Sequence, residues 1–329
     1  MNIYDIAELA GVSIATVSRV ISGNEKVKPA TREKVEAVMK AYNYSPSMIA
    51  RGMSSKSLKT VAIAVLSFSN PQHMRITHEI VKFFSKIDYN VVIYEAGSSI
   101  DDILSFFSRM KDISIDGIIL VSSVFSLIEN NYNDVLGLVG NTPIIIANGW
   151  VKGMYGVLVD EDKGCFDAVG YLASRGIEDI YYINSIHSDS SMRKCNGYRK
   201  AISEHNLEEH LLNLPGTSDD FLDETLGRIN FRMGKCAVIC DEDVLAVHCT
   251  NYIKRLGLDI PNDVSIIGFN NSDYCSLAYP NLSSVDNNTS LLGQRCAEYL
   301  SMAMKGNSLG VPGILEHIKT ELVLRDSTL

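Results

Sequence analysis

From residue 60 onward, short apolar runs alternate with longer segments of mixed polarity. Eight runs have the length and composition of strands: TVAIAVLS (60–67), NVVIYEA (90–96), DGIILVSS (116–123), PIIIANG (143–149), GVLVD (156–160), DIYYINS (179–185), CAVICD (236–241) and VSIIGFN (264–270). Helix-length segments such as HEIVKFFSKI and VLAVHCTNYIKRLG separate most of them. Strands without internal polar alternation are buried on both faces, so this order predicts parallel sheets covered by helices. Because the pattern runs through two units, we predict an α/β body of two doubly wound lobes.

The chain before residue 45 has a helical pattern. Apolar residues recur at i, i+3, i+4 and i+7 in IYDIAELA (3–10), the spacing of a short amphipathic helix. Asn2 is a suitable N-cap, and Gly11 is the left-handed residue expected after the helix. Ser13 caps a second helix after the three-residue turn GVS, and Pro29 begins a third helix. We therefore predict an all-α headpiece of three helices.

The first two helices and their tight glycine turn have the form of a helix-turn-helix. Val17 and Val20 lie on the buried side of the second helix, whereas Ala15, Ser18 and Arg19 point the opposite way. Small side chains let a helix approach base edges, hydroxyl groups donate to phosphates, and arginine bonds guanine bidentately. A generic three-helix bundle whose arginine is merely solvated fits the periodicity equally well. The pattern alone leaves both interpretations open.

Charge is distributed unevenly along the 329 residues. The net charge is −9, yet residues 1–60 hold nine Lys/Arg and five Asp/Glu, a net of +4. The remainder therefore carries −13. This asymmetry favours a basic module that contacts a polyanion and an acidic body that does not.

Composition and run lengths limit which classes of protein the chain can belong to. At 46% hydrophobic and 21% charged residues the chain is ordinary globular protein, and its length suggests about two or three domains. The longest apolar run, VAIAVL (61–66), is too short for a membrane span, and the N-terminus lacks the apolar region of a signal peptide. We expect a cytoplasmic protein.

The seven cysteines are odd in number and irregularly spaced. On one predicted strand, Cys236 and Cys240 would lie about 13 Å apart. That distance is too long for a shared zinc ion or a disulfide. We expect free buried thiols, with no metal site and no cofactor.

The stretch IYDIAELAGVSIATVSRVISGNEKVKPATREKV (3–35) resembles the DNA-binding region of the LacI/GalR family of bacterial transcription regulators. It matches the pattern D-[IV]-A-x-x-A-G-V-S-x-x-T-V-S-R-V-[IL] nearly throughout. The resemblance implies that Ile14, Ala15 and Arg19 read base edges. It implies backbone contacts from Tyr4, Ser13, Thr16, Ser18 and Thr31. Lys28 stands where the family usually has a serine cap, and we expect it to reach a phosphate instead.

The segment SPSMIARGM (45–53) resembles the hinge helix of that family, which orders when two protomers meet on operator DNA. Met53 occupies the position of a leucine that wedges into the minor groove, so we count it among the base-contacting residues. Gly52 lowers the stability of such a helix by about 0.5–1 kcal/mol. The alternative is a linker without fixed structure, and a helix this short is marginal in water without DNA.

The resemblance continues through the body, in SNP, IDGIIL, GYRKAI, CDEDVLA, IPNDVSIIGFNN and LSSVDNN. It implies a periplasmic-binding-protein-like pair of lobes. The expected domains are a helix-turn-helix at 1–46, a hinge and linker at 47–59, and an effector-binding and dimerisation domain at 60–329. The first lobe would hold about 60–160 and 287–315, and the second about 161–286 and 316–329. Since no leucine heptad ends the chain, we expect a homodimer.

In such lobes the ligand lies between the carboxyl ends of the strands. The resemblance places the effector-binding residues at Gln72, His73, Asn148, Trp150, Lys194, Asp241 and Asn270. Sugar-binding relatives use an aspartate, an arginine and another aspartate where this chain has Asn148, Lys194 and Asn270. The amides keep hydrogen bonding but remove charge. Arg193, beside the arginine position, is expected to point elsewhere, and Trp150 is expected to form a stacking wall.

These features together predict a DNA-binding repressor of carbohydrate-related genes. It would bind a pseudo-palindromic operator as a homodimer and respond to a sugar or sugar derivative, with a protein partner such as a phosphocarrier protein as the alternative. An enzyme is disfavoured, because the sequence lacks a Gly-rich phosphate loop, G-x-S-x-G and H-E-x-x-H. A periplasmic binding protein would share the body but need a signal peptide and lack the first sixty residues.

Overall fold

The computed structural model describes residues 1–21, 26–44, 58–113, 115–184, 188–214, 219–231 and 234–329. The chain forms an all-α headpiece followed by a two-lobe α/β body, which is the predicted fold class. The predicted hinge helix, with Gly52 and Met53, lies outside the described residues. No helix in the described ranges is long and apolar enough to cross a membrane.

Three short helices form the headpiece: α1 (Ile3–Ala10), α2 (Ile14–Ile21) and α3 (Pro29–Ala41). The Asn2 side chain accepts from the N–H groups of Tyr4 and Asp5, and the Asp5 carboxylate accepts from the Asn2 N–H in return, which makes a capping box. Gly11 has the predicted left-handed conformation, with a φ of 60°. Side chains from all three helices form one buried core: Ile6, Ala7, Ala10, Val17, Val20 and Val35. The helix-turn-helix prediction is confirmed.

The first lobe is built on a six-stranded parallel sheet. Its strands are β1 (Thr60–Val65), β2 (Asn90–Glu95), β3 (Gly117–Val121), β4 (Ile144–Ala147), β5 (Tyr155–Val159) and β11 (Ile314–Ile318). They lie in the order β2-β1-β3-β4-β5-β11, and every neighbouring pair is parallel. Its helices are α4 (Pro71–Ser85), α5 (Ile100–Asp112), a 3₁₀ helix (Ser123–Asn131), α6 (Tyr132–Val139) and α12 (Thr289–Met304). All residues of β1, β3 and β4 are buried, because helices cover both faces.

The second lobe repeats this architecture. Its strands are β6 (Asp179–Asn184), β7 (His210–Asn213), β8 (Cys236–Cys240), β9 (Val264–Phe269), β10 (Ser283–Asp286) and β12 (Glu321–Val323). The order is β7-β6-β8-β9-β10-β12, with only β12 antiparallel to its neighbour. Its helices are α7 (Glu161–Ser174), α8 (Asp189–Glu204), α9 (Asp219–Leu226), α10 (Asp243–Arg255) and α11 (Tyr274–Leu277). All seven cysteines of the chain are buried free thiols, as the spacing predicts.

All eight apolar runs form strands, but four further strands carry no such run. They are β7, β10, β11 and β12. Three of these lie at sheet edges and the fourth, β10, lies next to one. The three edge strands are covered less completely, so their sequences need less apolar character and give a weaker pattern. Strand β10 is buried, but it begins with Ser283 and Ser284, so its apolar run is too short to recognise.

The chain crosses between the lobes three times. The crossings lie at Asp160, at 287–288 and at 319–320. The third was expected near 315, but β11 pairs with β5 through Ile318 and carries the first lobe further along the chain. The carboxyl ends of the central strands in both sheets meet at this junction, where a cleft opens.

Candidate functional site

The exposed side of helix α2 is the first candidate site. Ser13 precedes this helix, and its hydroxyl oxygen accepts from the Thr16 N–H at 3.2 Å and lies 2.9 Å from the Thr16 hydroxyl. This cap fixes the start of α2 and leaves Ile14 and Ala15 exposed on its first turn. Tyr4 is also exposed, whereas Ser18 is half-buried. The apolar face of α2 packs inward, so its polar face is presented to solvent.

A shallow groove joins this face to the start of α3. Its lining residues are Val12, Ser13, Thr16, Arg19, Lys26, Val27, Lys28 and Thr31. The groove thus brings together five predicted DNA-contacting residues, from Ser13 to Thr31, along two helices. Lys28 is the N-cap of α3 and makes no capping bond with its side chain, as its replacement of a serine predicts.

Lys26 is a further cation in the groove that the sequence assignment omitted. The sequence feature that could have identified Lys26 is its position in the basic turn before α3. Three cations and three hydroxyl groups line this groove, and no carboxylate does so among the described residues. Such a surface suits a phosphate backbone, which Lys, Arg and hydroxyl side chains bind.

The cleft between the lobes is the second candidate site. Its cavity volume is about 60 Å³, and the total empty space between the walls, which includes open solvent, is about 590 Å³. The first lobe contributes Leu66, Asn70, Gln72, His73, Ile76, Ser122, Ser123, Val124, Ala147 and Asn148, and the second contributes Ser188, Ser190, Ser191, Lys194, Asp241 and Glu242. Most of these residues follow strands or begin helices, so the N-termini of α4, α8 and α10 and several strand ends converge there.

On the first-lobe side, the start of α4 holds two predicted residues in the cleft. Asn70 caps this helix, since its side-chain oxygen accepts from the N–H groups of Gln72 and His73 at 2.9 and 3.2 Å. His73 is only 8% exposed, and burial lowers its pKa to about 4. A hydrogen bond with the Ser67 backbone opposes this shift but is the smaller effect, so the imidazole is neutral at physiological pH.

On the second-lobe side, the charged residues lie close together. Lys194 is 4% exposed, its Nζ donates to the Asp241 carbonyl oxygen at 2.8 Å, and it lies 4.8 Å from the centroid of the Phe269 ring. Asp241 follows β8 directly and is buried. Burial and the neighbouring Asp241 charge raise the pKa of Glu242 to about 7, although Lys194 opposes the shift. One lysine and two acidic residues therefore lie together on the second-lobe wall of the cleft.

A buried network beside the cleft centres on Glu161, which the sequence assignment missed. Its side chain is fully buried. It accepts from Asn148 Nδ2 at 3.0 Å, from the Ser190 hydroxyl at 2.6 Å, and from Arg193 Nε and Nη2 at 3.2 and 2.8 Å. Asn287, at the second crossing, donates to it at 3.4 Å. One carboxylate therefore joins both lobes to the segment that links them.

Arg193 does not line the cleft, in keeping with the expectation that it points elsewhere, and its side chain lies along the lobe junction. Its Nη2 reaches the first lobe, where it donates to the carbonyl oxygen and the side-chain oxygen of Asn148 at 3.2 and 2.8 Å. It also pairs with Glu161. The guanidinium extends along the lobe junction because its carboxylate partner lies there.

Two predicted effector residues do not reach the cleft. The Asn270 side-chain oxygen accepts from Asn287 Nδ2 at 2.8 Å, so Asn270 supports a crossing segment. Trp150 is absent from the lining of the cleft, and its Nε1 donates to the Met154 carbonyl oxygen within its own turn.

The structure brings together the remaining five predicted residues: Gln72, His73, Asn148, Lys194 and Asp241. The serines, Asn70 and Glu242 were not assigned, although Glu242 follows Asp241 in the retained motif CDEDVLA. Among the described residues, no group of three or more His, Cys, Asp or Glu side chains has an arrangement that could hold a metal ion. Chemically, the cleft offers hydrogen bonds and charge to a small polar ligand.

Comparison with known proteins gives matches at both ends of the chain. Residues 2–47 match the family model described as "Bacterial regulatory proteins, lacI family", and residues 169–328 match "Periplasmic binding protein-like domain". An "HTH-type transcriptional regulator" of Lachnoclostridium phytofermentans is 32% identical, with 100% of this chain and 99% of that protein covered.

Solved structures extend the likeness to the whole fold. The Lac repressor dimer bound to operator and the anti-inducer ONPF has a TM-score of 0.87 at 22% identity, with coverage of 100% of this chain and 99% of that chain. The complex of the transcriptional regulator CelR with cellobiose has a TM-score of 0.71 at 23% identity, with coverage of 99% of both. At these identities the likeness concerns the fold.

Proposed function

Because this chain belongs to the LacI family and is a DNA-binding transcriptional regulator, we propose that it represses carbohydrate-related genes under the control of a ligand in the inter-lobe cleft. The observation that carries the proposal is the convergence of polar side chains from both lobes on one cleft. A ligand that contacts both walls favours one angle between the lobes over another, and differential affinity for two states shifts their populations.

The headpiece supplies the operator-reading part of the proposal. Arg19 is assigned to a guanine edge, Ile14 and Ala15 to apolar contact with thymine methyl groups, and Lys28 to a phosphate. Tyr4, Ser13, Thr16, Ser18 and Thr31 are assigned to the DNA backbone. A homodimer would present two headpieces and thus read a pseudo-palindromic site, because operator symmetry mirrors protein symmetry.

The cleft supplies the effector-binding part. We assign it to a sugar or sugar derivative, held by Gln72, His73, Asn148, Lys194 and Asp241. The support is the number of hydroxyl and amide groups in its lining, which match sugar hydroxyls. The cellobiose complex of a fold relative is in keeping with this assignment.

The hinge would connect the two parts. We assign Met53 to a minor-groove wedge, and we expect the hinge helices of two protomers to form on DNA only when the first lobes hold them close together. An effector that changes the spacing of the lobes would then release the operator, as in other order–disorder switches.

A two-part experiment tests the proposal. First, operator sequences are selected from random duplexes with the full-length protein, and the complex mass is measured. A symmetric site bound by a dimer is expected, and a monomer on a single half-site would contradict the DNA part. Second, a sugar panel is screened by thermal shift and operator release. A ligand at about 100 times its Kd stabilises the protein by about 2.7 kcal/mol.

A further inference from the structure

An arginine of the first lobe reaches across the lobe junction outside the cleft. Arg75 lies on α4, and its Nη1 donates to the Asn271 carbonyl oxygen at 2.8 Å. Its Nη2 donates to the Asp273 carboxylate at 3.2 Å. Asn271 and Asp273 follow β9 of the second lobe. One guanidinium therefore joins the two lobes through both of its terminal nitrogens.

The helix that carries Arg75 also forms part of the cleft wall. Gln72 and His73, at the start of α4, line the cleft. Arg75 and His78, on another side of the same helix, line a separate outer groove of about 650 Å³ that both lobes border. Because one helix borders both spaces, a movement of α4 relative to the second lobe changes the cleft and the Arg75 bridge together.

The second-lobe end of this bridge is held in place by its own lobe. Asn271 has a left-handed φ of 46°, a conformation that asparagine adopts more readily than most residues. Its N–H donates to the Ser284 hydroxyl at 3.0 Å, its Nδ2 donates to Asp286 at 2.9 Å, and its Oδ1 accepts from Arg325 at 2.6 Å. Asn271 therefore presents a fixed carbonyl oxygen to Arg75.

The strand order places the bridge on the cleft side of the crossings. The chain crosses between the lobes after β5, after β10 and after β11, close to one edge of each sheet. Helix α4 follows β1, three strands inward from β5, and Asn271 follows β9, one strand inward from β10. A rotation about the crossings that opens the cleft therefore draws α4 away from Asn271 and breaks the bridge.

The cleft is narrow in this arrangement of the lobes. Its cavity volume is about 60 Å³, whereas ligand pockets typically measure roughly 300–1,000 Å³. Side chains from both lobes occupy the remaining space between the walls. A sugar therefore enters the cleft only if the lobes move apart.

Arg75 differs in exposure from Arg193, which also spans the junction. Arg193 pairs with the fully buried carboxylate of Glu161, so breaking that pair would leave a charge unpaired in the interior. In contrast, the Arg75 side chain is 44% exposed and that of Asp273 is 88% exposed. Water replaces the partner of each group when they separate, and such exposed pairs stabilise a protein weakly. The Arg75 bridge can thus break and re-form while the lobes stay folded.

We propose that Arg75 is a latch on the lobe junction: its bonds to Asn271 and Asp273 favour the closed cleft, and an effector enters when they break. The latch rests on the proposed ligand function of the cleft and adds a means of regulation to it. A closed cleft lowers the apparent affinity by the fraction of molecules that are open. The latch therefore sets the effector concentration to which the protein responds.

Acylation of lysine side chains measures the opening of the cleft without an effector. Lys194 lines the cleft and is 4% exposed, whereas the Lys200 side chain on the same helix is 65% exposed. The full-length protein is treated with N-hydroxysuccinimidyl acetate, and the acylation rate of each lysine is measured by mass spectrometry. In the variant Arg75→Met we expect the Lys194 rate, relative to that of Lys200, to rise about three- to tenfold, because a lost charged hydrogen bond shifts the population toward the open cleft. An unchanged ratio would overturn the latch.

Two further variants test the partners of Arg75. Lys82→Met removes an exposed ion pair of α4, with Glu79 at 3.2 Å, that stays within the first lobe, so it should leave the ratio unchanged. Asp273→Asn should raise the ratio less than Arg75→Met does, because the bond to the Asn271 carbonyl oxygen remains. Asp273 makes no side-chain capping bond to α11 within the described part of the chain, so this substitution removes no helix cap. Equal effects of Lys82→Met and Arg75→Met would overturn the latch.

Thiol reactivity distinguishes opening of the cleft from unfolding. Cys249 and Cys296 are fully buried in the cores of the second and the first lobe, so a rotation of the lobes leaves both protected. Their reaction with DTNB should be equally slow in the wild type and in Arg75→Met. If the thiols and Lys194 become reactive together, the variant unfolds and the latch is refuted.

Calorimetry with glucose, galactose, ribose and cellobiose tests the entry of a sugar. A sugar that binds the wild type should bind Arg75→Met about three- to tenfold more tightly, by the same shift of population. Equal affinity in the two proteins would overturn the latch and leave the ligand function standing. If none of the four sugars binds either protein while Lys194 becomes reactive in Arg75→Met, the latch is supported and the result counts against the proposed ligand function.

Discussion

The buried pair of Glu161 and Arg193 should be the most sensitive point of the lobe junction. Glu161 is fully buried, and Arg193 supplies two of its five hydrogen bonds. The variant Arg193→Met keeps much of the aliphatic length but leaves a carboxylate in the interior without its cation. Removing one partner of a buried pair costs about 3–5 kcal/mol.

The expected loss lies at the lower end of that range. The Arg193 side chain is 22% exposed, so water can partly solvate the space that the guanidinium leaves. We therefore expect a loss of about 3 kcal/mol in the free energy of unfolding. At roughly 2–4 °C per kcal/mol for domains of 150–250 residues, this lowers Tm by about 6–12 °C. Differential scanning calorimetry of the full-length protein measures it.

A control variant on the same helix tests whether the pair stabilises the protein because it is buried or merely because it is charged. Arg199 pairs with Glu209 at 3.0 Å, but both side chains are about half exposed. Exposed pairs contribute about 0–1 kcal/mol, so Arg199→Met should change Tm little. The double variant Arg193→Met with Glu161→Gln removes the unpaired charge and should recover about 1–2 kcal/mol, within the coupling range of contacting groups. If both arginine variants melt alike, or the double variant shows no recovery, the pair does not stabilise the junction.

Three further outcomes are expected. Arg19→Ala should weaken the free energy of operator binding by about 1–3 kcal/mol per half-site and relax the preference at one G·C pair, whereas Lys28→Ala should weaken binding to all duplexes and reduce the slope of log K against log[salt] by about one. An equal loss of affinity for every duplex in both variants, measured by fluorescence anisotropy, would contradict the role of Arg19. Asp241→Ala should abolish the effector response in operator-release assays and leave basal operator affinity intact, and a normal response would remove Asp241 from the site. Met53→Ala should weaken specific but not non-specific DNA binding, and Gly52→Ala should tighten operator binding. Hinge amide hydrogens that exchange equally fast with and without operator would exclude a hinge that orders on DNA.

Local signals were sufficient for the headpiece. The Asn2 cap, the left-handed Gly11 and the Pro29 helix start depend on residues within one or two turns, and all three occur as the sequence predicts. The eight apolar runs are equally local, and all eight form strands, although β2 at a sheet edge is only partly buried. The sequence by itself therefore determined the helix-turn-helix and the parallel strands of the two sheets.

The edges of the sheets depended on the tertiary structure. Strand β12 has only three residues, and its pairing with β10 is antiparallel. Strand β11 extends through Ile318 because it pairs with β5, not because its own sequence is strongly apolar. Such short strands gain their stability from neighbours that are distant along the chain.

The cleft residues also divide into those that the sequence identifies and those that only the tertiary structure decides. Asn148 and Asp241 follow buried strands, and the carboxyl end of a parallel strand is a position that sequence can identify. Glu161 follows Asp160 and precedes Asp162, and no local pattern distinguishes which of the three acids is buried. The crossing geometry decides it, since only Glu161 meets Asn148 and Arg193. Likewise, Trp150 and Asn270 lie near predicted strand ends, but their turns direct both side chains to other partners. A strand end can thus be located from the chain alone, whereas the direction of a side chain depends on how distant segments pack against it.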